Sequence, residues 1–483
     1  MNQTSSFKNK AISGILWSAV ERFSLQAVQF TINIVMARLL LPSDYGMVGM
    51  LTIFLQISQA FIDGGFTNAL IQRRNRTEVD YSTVFYFNIV TAMVFYLLLF
   101  TFAPLIAEFY HLPTLTTIIR VIGLNLIISS LSIVHKAKLT IQINFKIQSK
   151  ISLSSALISG IIGLIMAYKG YDVWSLVCQS LINALLLTIL FYSFLQWKPL
   201  NRFSLKSFNN LYSFGSKLFL SSLIHTVYYN LYAIVIGRKF SAVDLGYYTR
   251  AEQFACFPSS NLNAVISRVT FPMLSSIQDD DERLLIAYRR YIQLSSFIIF
   301  PLMIGLSVLA EPLIKLLLTD KWSGIIILLQ ILCFDWMFDH LSAINLNLLW
   351  VKGRSDLSLK LEIIKKTIAT SILFISIPFG IVGMCCGRVL YSLIATYLNT
   401  YYTKSLMGLS LWIQLKDISP CFFLSLLMGG IIYSVNYFCF NNIWYVVIIS
   451  PILGCLIYIG SAYLLKLNVL HNLVLIYKNG KNI

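Results

Sequence analysis

The chain has 483 residues, of which 57% are hydrophobic and only 12% are charged. Soluble domains have about 45–50% apolar and about 25% charged residues, so a mean hydropathy of +0.74 excludes a water-soluble enzyme and a protein with a single membrane anchor. A net charge of +17 would suggest nucleic acid in a soluble chain, but here the basic residues lie between apolar stretches. We predict an all-α polytopic membrane protein and no nucleic-acid partner.

Fourteen apolar stretches have the length of spanning helices, and none alternates strictly as a barrel strand does. In chain order they are 11–37, 45–69, 81–108, 116–135, 151–168, 173–195, 211–236, 246–272, 291–318, 323–349, 361–379, 384–406, 418–440 and 443–465. The connections between them are short, so the sequence predicts no inserted soluble domain.

The Lys and Arg residues alternate in number from one loop to the next. With the N-terminus inside, the inner side receives most of the 37, including Lys365, and the outer side receives few, including Arg38 and Arg388. Because positive residues are retained on the cytoplasmic side, we predict that both termini are cytoplasmic. The polar N-terminus leads into a long apolar segment without a small-residue cleavage site, so no removable signal peptide is expected.

The chain contains an internal repeat. Arg, Asp and Gly occur at the same spacing in Arg38–Gly46, which joins the first two spans, and in Arg238–Gly246, which joins spans seven and eight. Two further matches follow in the same order, Pro104-Leu-Ile106 with Pro312-Leu-Ile314 and Gly170 with Gly380. Since each block has six spans, both enter the membrane from the same side and are parallel repeats.

The repeat predicts a domain organisation with four parts. Residues 1–206 form an N-terminal six-helix lobe and residues 207–408 a C-terminal six-helix lobe. Two additional transmembrane helices occupy 409–466, and 467–483 form a cytoplasmic tail.

Five short motifs are spread over the chain. They are Trp17-Ser-Ala-Val-Glu-Arg22, Ala37-Arg38-Leu-Leu-Leu-Pro-Ser-Asp44-Tyr-Gly46, Asp63-Gly-Gly65, Asp244-Leu-Gly-Tyr-Tyr-Thr-Arg250-Ala251, and Phe271-Pro272 followed by Ser275, Ser276 and Gln278. Together they resemble the polysaccharide transporter family, the Wzx-type flippases of lipopolysaccharide O-antigen within the MOP exporter superfamily. The resemblance covers nearly the whole chain.

The resemblance implies two six-helix lobes that form a V around a central cavity, with two extra helices, in the bacterial inner (plasma) membrane. It implies alternating access that moves an undecaprenyl-diphosphate-linked oligosaccharide to the periplasmic leaflet, for synthesis of O-antigen, capsule or exopolysaccharide. Expected partners are this lipid-linked substrate, membrane lipids, a polysaccharide polymerase and glycosyltransferases. The protein itself is expected to be a monomer.

Four cations are candidates for binding the diphosphate: Arg22, Arg38, Lys217 and Arg250. A charge at the bilayer centre costs about 2.5–3.5 kcal/mol on insertion scales, so an intramembrane Arg indicates a wet cavity, where its planar guanidinium binds phosphate oxygens in pairs. In the alternative interpretation, Arg22 and neighbouring Glu21 reach the inner interface. Likewise, Arg250 pairs with Glu252, and Lys217 only anchors its helix at the interface.

Five carboxylates are candidates for ion coupling or charge pairing: Glu21, Asp63, Glu252, Asp335 and Asp339. The two glycines that follow Asp63 predict a close approach of helices, and Asp63 itself either pairs with Arg22 or binds a coupling ion. Asp335 and Asp339 are four residues apart and share a helix face, which suits a proton or Na⁺ relay; the alternative is that Asp339 pairs with a base on another helix. We therefore expect H⁺ or Na⁺ as coupling ion, with no cofactor and no metal centre.

The chain lacks the G-x-x-x-x-G-K-[ST] loop of nucleotide-binding proteins, so we expect an ion gradient or the substrate gradient to supply the energy. The main alternative function is an ion-coupled multidrug antiporter of the same superfamily, which the acidic Asp63, Asp335 and Asp339 favour. An enzyme is not expected, because no outer loop is long enough to display a catalytic constellation. The eight Cys contain no C-x-x-C motif, which leaves no redox signature.

Overall fold

The computed structural model describes residues 23–73, 75–439, 442–467 and 469–470. Within these ranges the regular structure is helical, and no strand occurs. The helices are α1 (23–39), α2 (Pro42–Asp63), α3 (Phe66–Gln72), α4 (Glu78–Phe109), α5 (Leu115–Ile122), α6 (Leu124–Ile141), α7 (Phe145–Tyr168), α8 (Asp172–Leu195), α9 (Leu205–Lys239), α10 (Ala242–Ser276), α11 (Asp281–Val308), α12 (Ala310–Leu318), α13 (Ile325–Met337), α14 (Asp339–Val351), α15 (Ser355–Ser376), α16 (Gly380–Met407), α17 (Leu411–Cys439) and α18 (Ile443–Leu464).

Polar residues mark the start of several helices. Their side chains accept a hydrogen bond from a backbone N–H of the first turn, which otherwise lacks a partner. These capping residues are Thr77, Asn144, Ser204, Asp280 and Asn442.

Eleven of the described helical segments are long and apolar enough to cross a membrane, and the chain is a multi-pass membrane protein. One of them, Asp356–Met407, has 52 residues, which at about 1.5 Å per residue is more than twice the bilayer core of about 30 Å. A 3₁₀ turn at Ile377–Phe379 and Gly380, with φ of 74°, separate it into α15 and α16. This segment is therefore long enough for two crossings.

The chain divides into two compact units, Met1–Gly246 and Tyr247–Ile483. Within the first unit, α7 packs along α8, α6 packs between α4 and α8, and α9 packs on α2 and α3. A core of buried side chains joins α3, α4, α6 and α9. It contains Phe66, Ala69, Leu70, Tyr81, Val84, Phe85, Val134 and Leu211.

Within the second unit, α11 packs along α17 and also contacts α13. α16 lies against α13, α14 and α15. α18 packs on α17 and α12, so the last two helices are held against the helices that precede them.

The repeated aspartates have the same structural role. Asp44 accepts the backbone N–H of Leu41 at 2.9 Å, and Asp244 accepts the backbone N–H of Ser241 at 3.1 Å. Both stabilise the start of a helix, where a negative charge also interacts favourably with the helix dipole. The aspartates of the repeat are therefore capping residues.

The repeated glycines allow the two motifs to touch through their backbones, within the first unit. A Cβ on Gly46 would lie 1.7 Å from the carbonyl oxygen of Ala242, and a Cβ on Gly246 would lie 2.0 Å from that of Pro42. Each motif thus places its glycine against the residue four positions earlier in the other motif. This reciprocal contact is the geometry expected of two similar segments related by a local two-fold axis.

The other two matches differ in outcome. Gly170 and Gly380 both have positive φ, 79° and 74°, Gly170 in the turn before α8 and Gly380 at the first residue of α16. By contrast, Pro104 lies inside α4, whereas Pro312 lies in the first turn of α12, because α11 ends at Val308. The sequence match at these prolines does not correspond to the same local structure.

Candidate functional site

The candidate cations are exposed or partly exposed where they are described. Arg22 and its neighbour Glu21 lie outside the described residues. Arg38 is exposed at the C-terminal end of α1, and Lys217 is exposed on α9, both in the first unit. Arg250 lies on α10 in the second unit and is half-buried.

Arg250 and Glu252 have different partners. The Arg250 guanidinium donates to the side-chain oxygen of Gln253, and Gln253 is exposed. Glu252, two residues from Arg250, points to the other side of α10 and pairs with Arg388 of α16. Residues two apart on a helix do not face the same partner, which explains this division.

Asp63 lies in a polar cleft of the first unit. The cleft has a volume of about 330 Å³ and lies between α9 and the segment formed by α2 and α3. Its lining consists of Gln56, Gln59, Ala60, Asp63, Gly65, Asn68, Leu218, Phe219, Ser222 and Thr226. Six of these ten residues have side chains that can donate or accept hydrogen bonds, in helices whose overall composition is that of membrane spans.

Glycines determine how closely the walls of this cleft approach. Gly64 and Gly65 have φ of 53° and 74°, which breaks the helix between α2 and α3. A Cβ on Gly65 would lie 2.2 Å from the carbonyl oxygen of Gly215 on α9. The expectation that the Asp63-Gly64-Gly65 motif brings two helices together is therefore correct, and Gly215 is the partner.

Asp63 accepts a hydrogen bond from the Thr67 hydroxyl, and among the described residues it has no ion pair. The expected pairing with Arg22 lies outside the described residues. Nearby, Asn230 donates its amide to the side-chain oxygen of Gln56 at 2.7 Å, which fixes the orientation of one polar group at the cleft.

A buried charge network lies in the second unit. Arg388 donates to Glu252 at 2.5 Å, to Asp335 at 2.6 Å and to the Tyr248 hydroxyl at 2.7 Å. The side chains of Glu252, Asp335 and Arg388 are 14%, 12% and 15% exposed. A guanidinium offers five N–H donors in one plane, so Arg388 of α16 bonds to a carboxylate and a hydroxyl of α10 and to a carboxylate of α13.

Asp339 lies beside this network but has another partner. The helix breaks at Phe338, between α13 and α14, and Asp339 accepts a hydrogen bond from the Asn263 amide at 2.8 Å. Lys365 of α15, buried and paired with Glu362 at 2.5 Å, interacts electrostatically with Asp339. The two aspartates on adjoining helices α13 and α14 therefore have different environments.

Arg388 and Lys365, counted on the outer and the inner side, lie in α16 and α15, where their side chains are 15% and 7% exposed. The sequence analysis did not predict that these two residues interact with buried carboxylates, although their positions indicated it. Both lie within predicted spans, 384–406 and 361–379, and an ionisable residue within a span indicates a buried partner or a wet cavity.

The sequence is similar to that of proteins of polysaccharide biosynthesis. A family model described as polysaccharide biosynthesis protein matches residues 35–327. Lipopolysaccharide biosynthesis protein WzxC of Escherichia coli (strain K12) is 26% identical over 435 residues, which are 88% of each chain. Teichuronic acid biosynthesis protein TuaB of Bacillus subtilis (strain 168) is 27% identical over 363 residues, 73% of this chain and 74% of that protein.

Among solved structures, an inward closed conformation of the lipid II flippase MurJ is similar to this fold, with a TM-score of 0.75 and 16% identity over 94% of this chain and 99% of that chain. At this identity the likeness shows the fold. The family model covers more than half of the chain, and the chain belongs to the polysaccharide biosynthesis protein family.

Proposed function

We propose that this protein is a flippase that moves an undecaprenyl-diphosphate-linked oligosaccharide across the bacterial inner membrane during synthesis of a surface polysaccharide. The observation that carries the proposal is the cleft of hydrogen-bonding side chains set into apolar spanning helices. Such a cleft gives a hydrated head group a polar route that hydrocarbon denies. Membership of the polysaccharide biosynthesis protein family supports the choice of substrate.

The transport mechanism we propose is alternating access by two six-helix lobes, 1–206 and 207–408, with 409–466 as two further spans and 467–483 as a cytoplasmic tail. Fourteen spans with both termini in the cytoplasm follow from the apolar stretches and the loop charges. The reciprocal contact of Gly46 and Gly246 supports the parallel repeat on which this layout rests.

In this mechanism Arg22, Arg38, Lys217 and Arg250 attract the diphosphate while the lipid tail stays in the bilayer. Arg38 and Lys217 are exposed, and Arg250 is half-buried, so these three guanidinium and ammonium groups are not enclosed in an apolar core. No catalytic role is proposed for any residue, and no cofactor is required.

The driving force we propose is an ion gradient of H⁺ or Na⁺, coupled through the carboxylates of the second unit. Asp339 supports this proposal best, because its hydrogen-bond partner Asn263 is neutral whereas Asp335 forms an ion pair with Arg388. The expected assembly is a monomer that receives its substrate from glycosyltransferases and delivers it to a polymerase.

Export of surface polysaccharide tests the proposed function. In cells that lack the gene, we expect wild-type protein to restore the polysaccharide and Arg22→Ala, Arg38→Ala and Arg250→Ala to reduce it severely. Arg354→Ala is the matched control, because Arg354 forms an exposed pair with Asp356 at the start of α15. Normal export by well-inserted forms of all three variants would show that these cations do not bind the diphosphate.

The coupling proposal has its own experiment. Asp339→Asn preserves the size of the side chain and its capacity to hydrogen-bond with Asn263. We expect transport by this variant in proteoliposomes to become independent of an imposed H⁺ or Na⁺ gradient. A gradient response equal to that of the wild type would exclude Asp339 as the coupling group.

A further inference from the structure

The chemistry of the polar cleft in the first unit differs from that of a phosphate site. Among the described residues that line it, the one charged side chain is the carboxylate of Asp63, and none is Lys or Arg. Its other polar groups are the amides of Gln56, Gln59 and Asn68 and the hydroxyls of Ser222 and Thr226. A phosphate accepts hydrogen bonds and carries negative charge, so at these described residues it would meet a carboxylate and no cation.

The groups of the cleft present donors and acceptors side by side. Asn230 occupies the side-chain oxygen of Gln56, so the Gln56 NH₂ is directed to another acceptor. Thr67 donates to one oxygen of Asp63, and the second oxygen has no donor among the described residues. A ligand that complements both needs groups that donate and accept at short spacing, and the hydroxyls of a sugar ring do so.

The cleft is also accessible and large enough. Gln56, Asn68 and Ser222 are exposed, and a volume of about 330 Å³ is at the lower end of the about 300–1,000 Å³ of small-molecule sites. The ring of Phe219 and the side chain of Leu218 provide apolar surface beside the polar groups. Sugars have both kinds of surface, because their C–H faces are apolar.

We propose that this cleft is a subsite for the uncharged sugar residues of the substrate, separate from the cations that attract its diphosphate. Gln59 and Asp63 bind sugar hydroxyls directly, and Asn230 positions Gln56 for the same purpose. This inference rests on the proposed function. It assigns the recognition of the saccharide to α2, α3 and α9.

Binding of two lipids to the purified full-length chain tests the subsite. The first probe is the cell's own undecaprenyl-diphosphate-linked repeat unit, and the second is undecaprenyl diphosphate without sugar. We expect the wild type to prefer the first. Gln59→Leu and Asp63→Asn should each weaken binding of the sugar-bearing lipid about tenfold, as the loss of one or two hydrogen bonds to a ligand predicts. Neither variant should change the binding of undecaprenyl diphosphate.

Matched controls come from exposed positions outside the cleft. One control is Gln72→Leu, at the end of α3. The other is Asp172→Asn, at the start of α8, where the positive φ of 40° is one that Asn tolerates. Both should bind the two lipids as the wild type does. Ser222→Ala serves as a third cleft variant if either of the others lowers the melting temperature of the protein.

Four results would overturn the subsite, and the last would also contradict the proposed function. Tighter binding of undecaprenyl diphosphate by Asp63→Asn would show that phosphate occupies the cleft. A Na⁺-dependent rise in melting temperature that Asp63→Asn abolishes, with the preference for sugar intact, would show a cation there. Cleft variants that bind both lipids as the wild type does would contradict the subsite but not the proposed function. A wild type that binds neither lipid would contradict both.

Discussion

The intramembrane carboxylates of the two units have opposite environments. In the first unit, Asp63 lines an open cleft and shares a hydrogen bond with Thr67. In the second unit, Arg388 holds Glu252 and Asp335 in a closed network that leaves each side chain at most 15% exposed. Arg388 gives both buried carboxylates an ion-pair partner, whereas a polar group in an accessible cleft retains capacity for a ligand. The comparison therefore separates a structural network from a candidate recognition site.

Replacing the guanidinium at the centre of the network should have the largest effect. Arg388→Met leaves Glu252 and Asp335 buried without a counter-ion, and removing one partner of a buried pair costs about 3–5 kcal/mol. We expect a marked fall in melting temperature and in the yield of monodisperse protein, measured by thermal unfolding in detergent.

A rescue variant distinguishes this explanation from loss of packing. Arg388→Met combined with Glu252→Gln and Asp335→Asn removes all three charges, and most of the stability should return. Arg354→Ala at the exposed Asp356 pair should leave the melting temperature unchanged because surface pairs contribute little. If the triple variant melts as low as Arg388→Met, the charges are not the cause.

A second group of variants tests the reciprocal backbone contact in the first unit. Gly46→Val and Gly246→Val place side chains where carbonyl oxygens lie 1.7 Å and 2.0 Å from the Cβ position, and overpacking of this kind costs about 1–3 kcal/mol. The melting temperature should fall in both variants by a similar amount, because the contact is reciprocal.

Gly430→Ala provides the control for these glycines. Its Cβ would meet no atom within 4 Å, and alanine is the better helix former, so this change should be neutral or slightly stabilising. Variants at Gly46 and Gly246 that behave like Gly430→Ala would contradict the close approach.

The smallest effect is expected where a residue acts on the cleft through another. Asn230 is 6% exposed and donates to Gln56, so Asn230→Ala should cost about 0.5–1.5 kcal/mol in stability and weaken binding of the sugar-bearing lipid less than Gln59→Leu does. Titration of both lipids against the purified variant measures this. Equal losses for the two lipids would mean that Asn230 supports the fold and not the orientation of Gln56.

Much of the architecture was predictable because it depends on composition and local chemistry. Apolar stretches of about 20 residues predict membrane helices, and the described chain is helical with eleven candidate spans. The Asp63-Gly64-Gly65 motif predicted a close helix approach, which Gly65 makes with Gly215. Charges within apolar stretches also identified Asp335 and Glu252 as candidates, whereas Arg388, near the end of a predicted span, was counted with the charges of the outer side.

The sequence by itself determined that the chain is a multi-pass helical protein, that it contains a repeated Asp and Gly motif, and which carboxylates lie among its apolar stretches. Only the tertiary structure decided that Arg388 joins Glu252 and Asp335, and that α9 forms one wall of the cleft around Asp63. The reason is physical. A spanning helix is apolar on the side that faces lipid and on the side that faces protein, so its sequence contains little information about its rotation or about the neighbours that its few polar groups will meet.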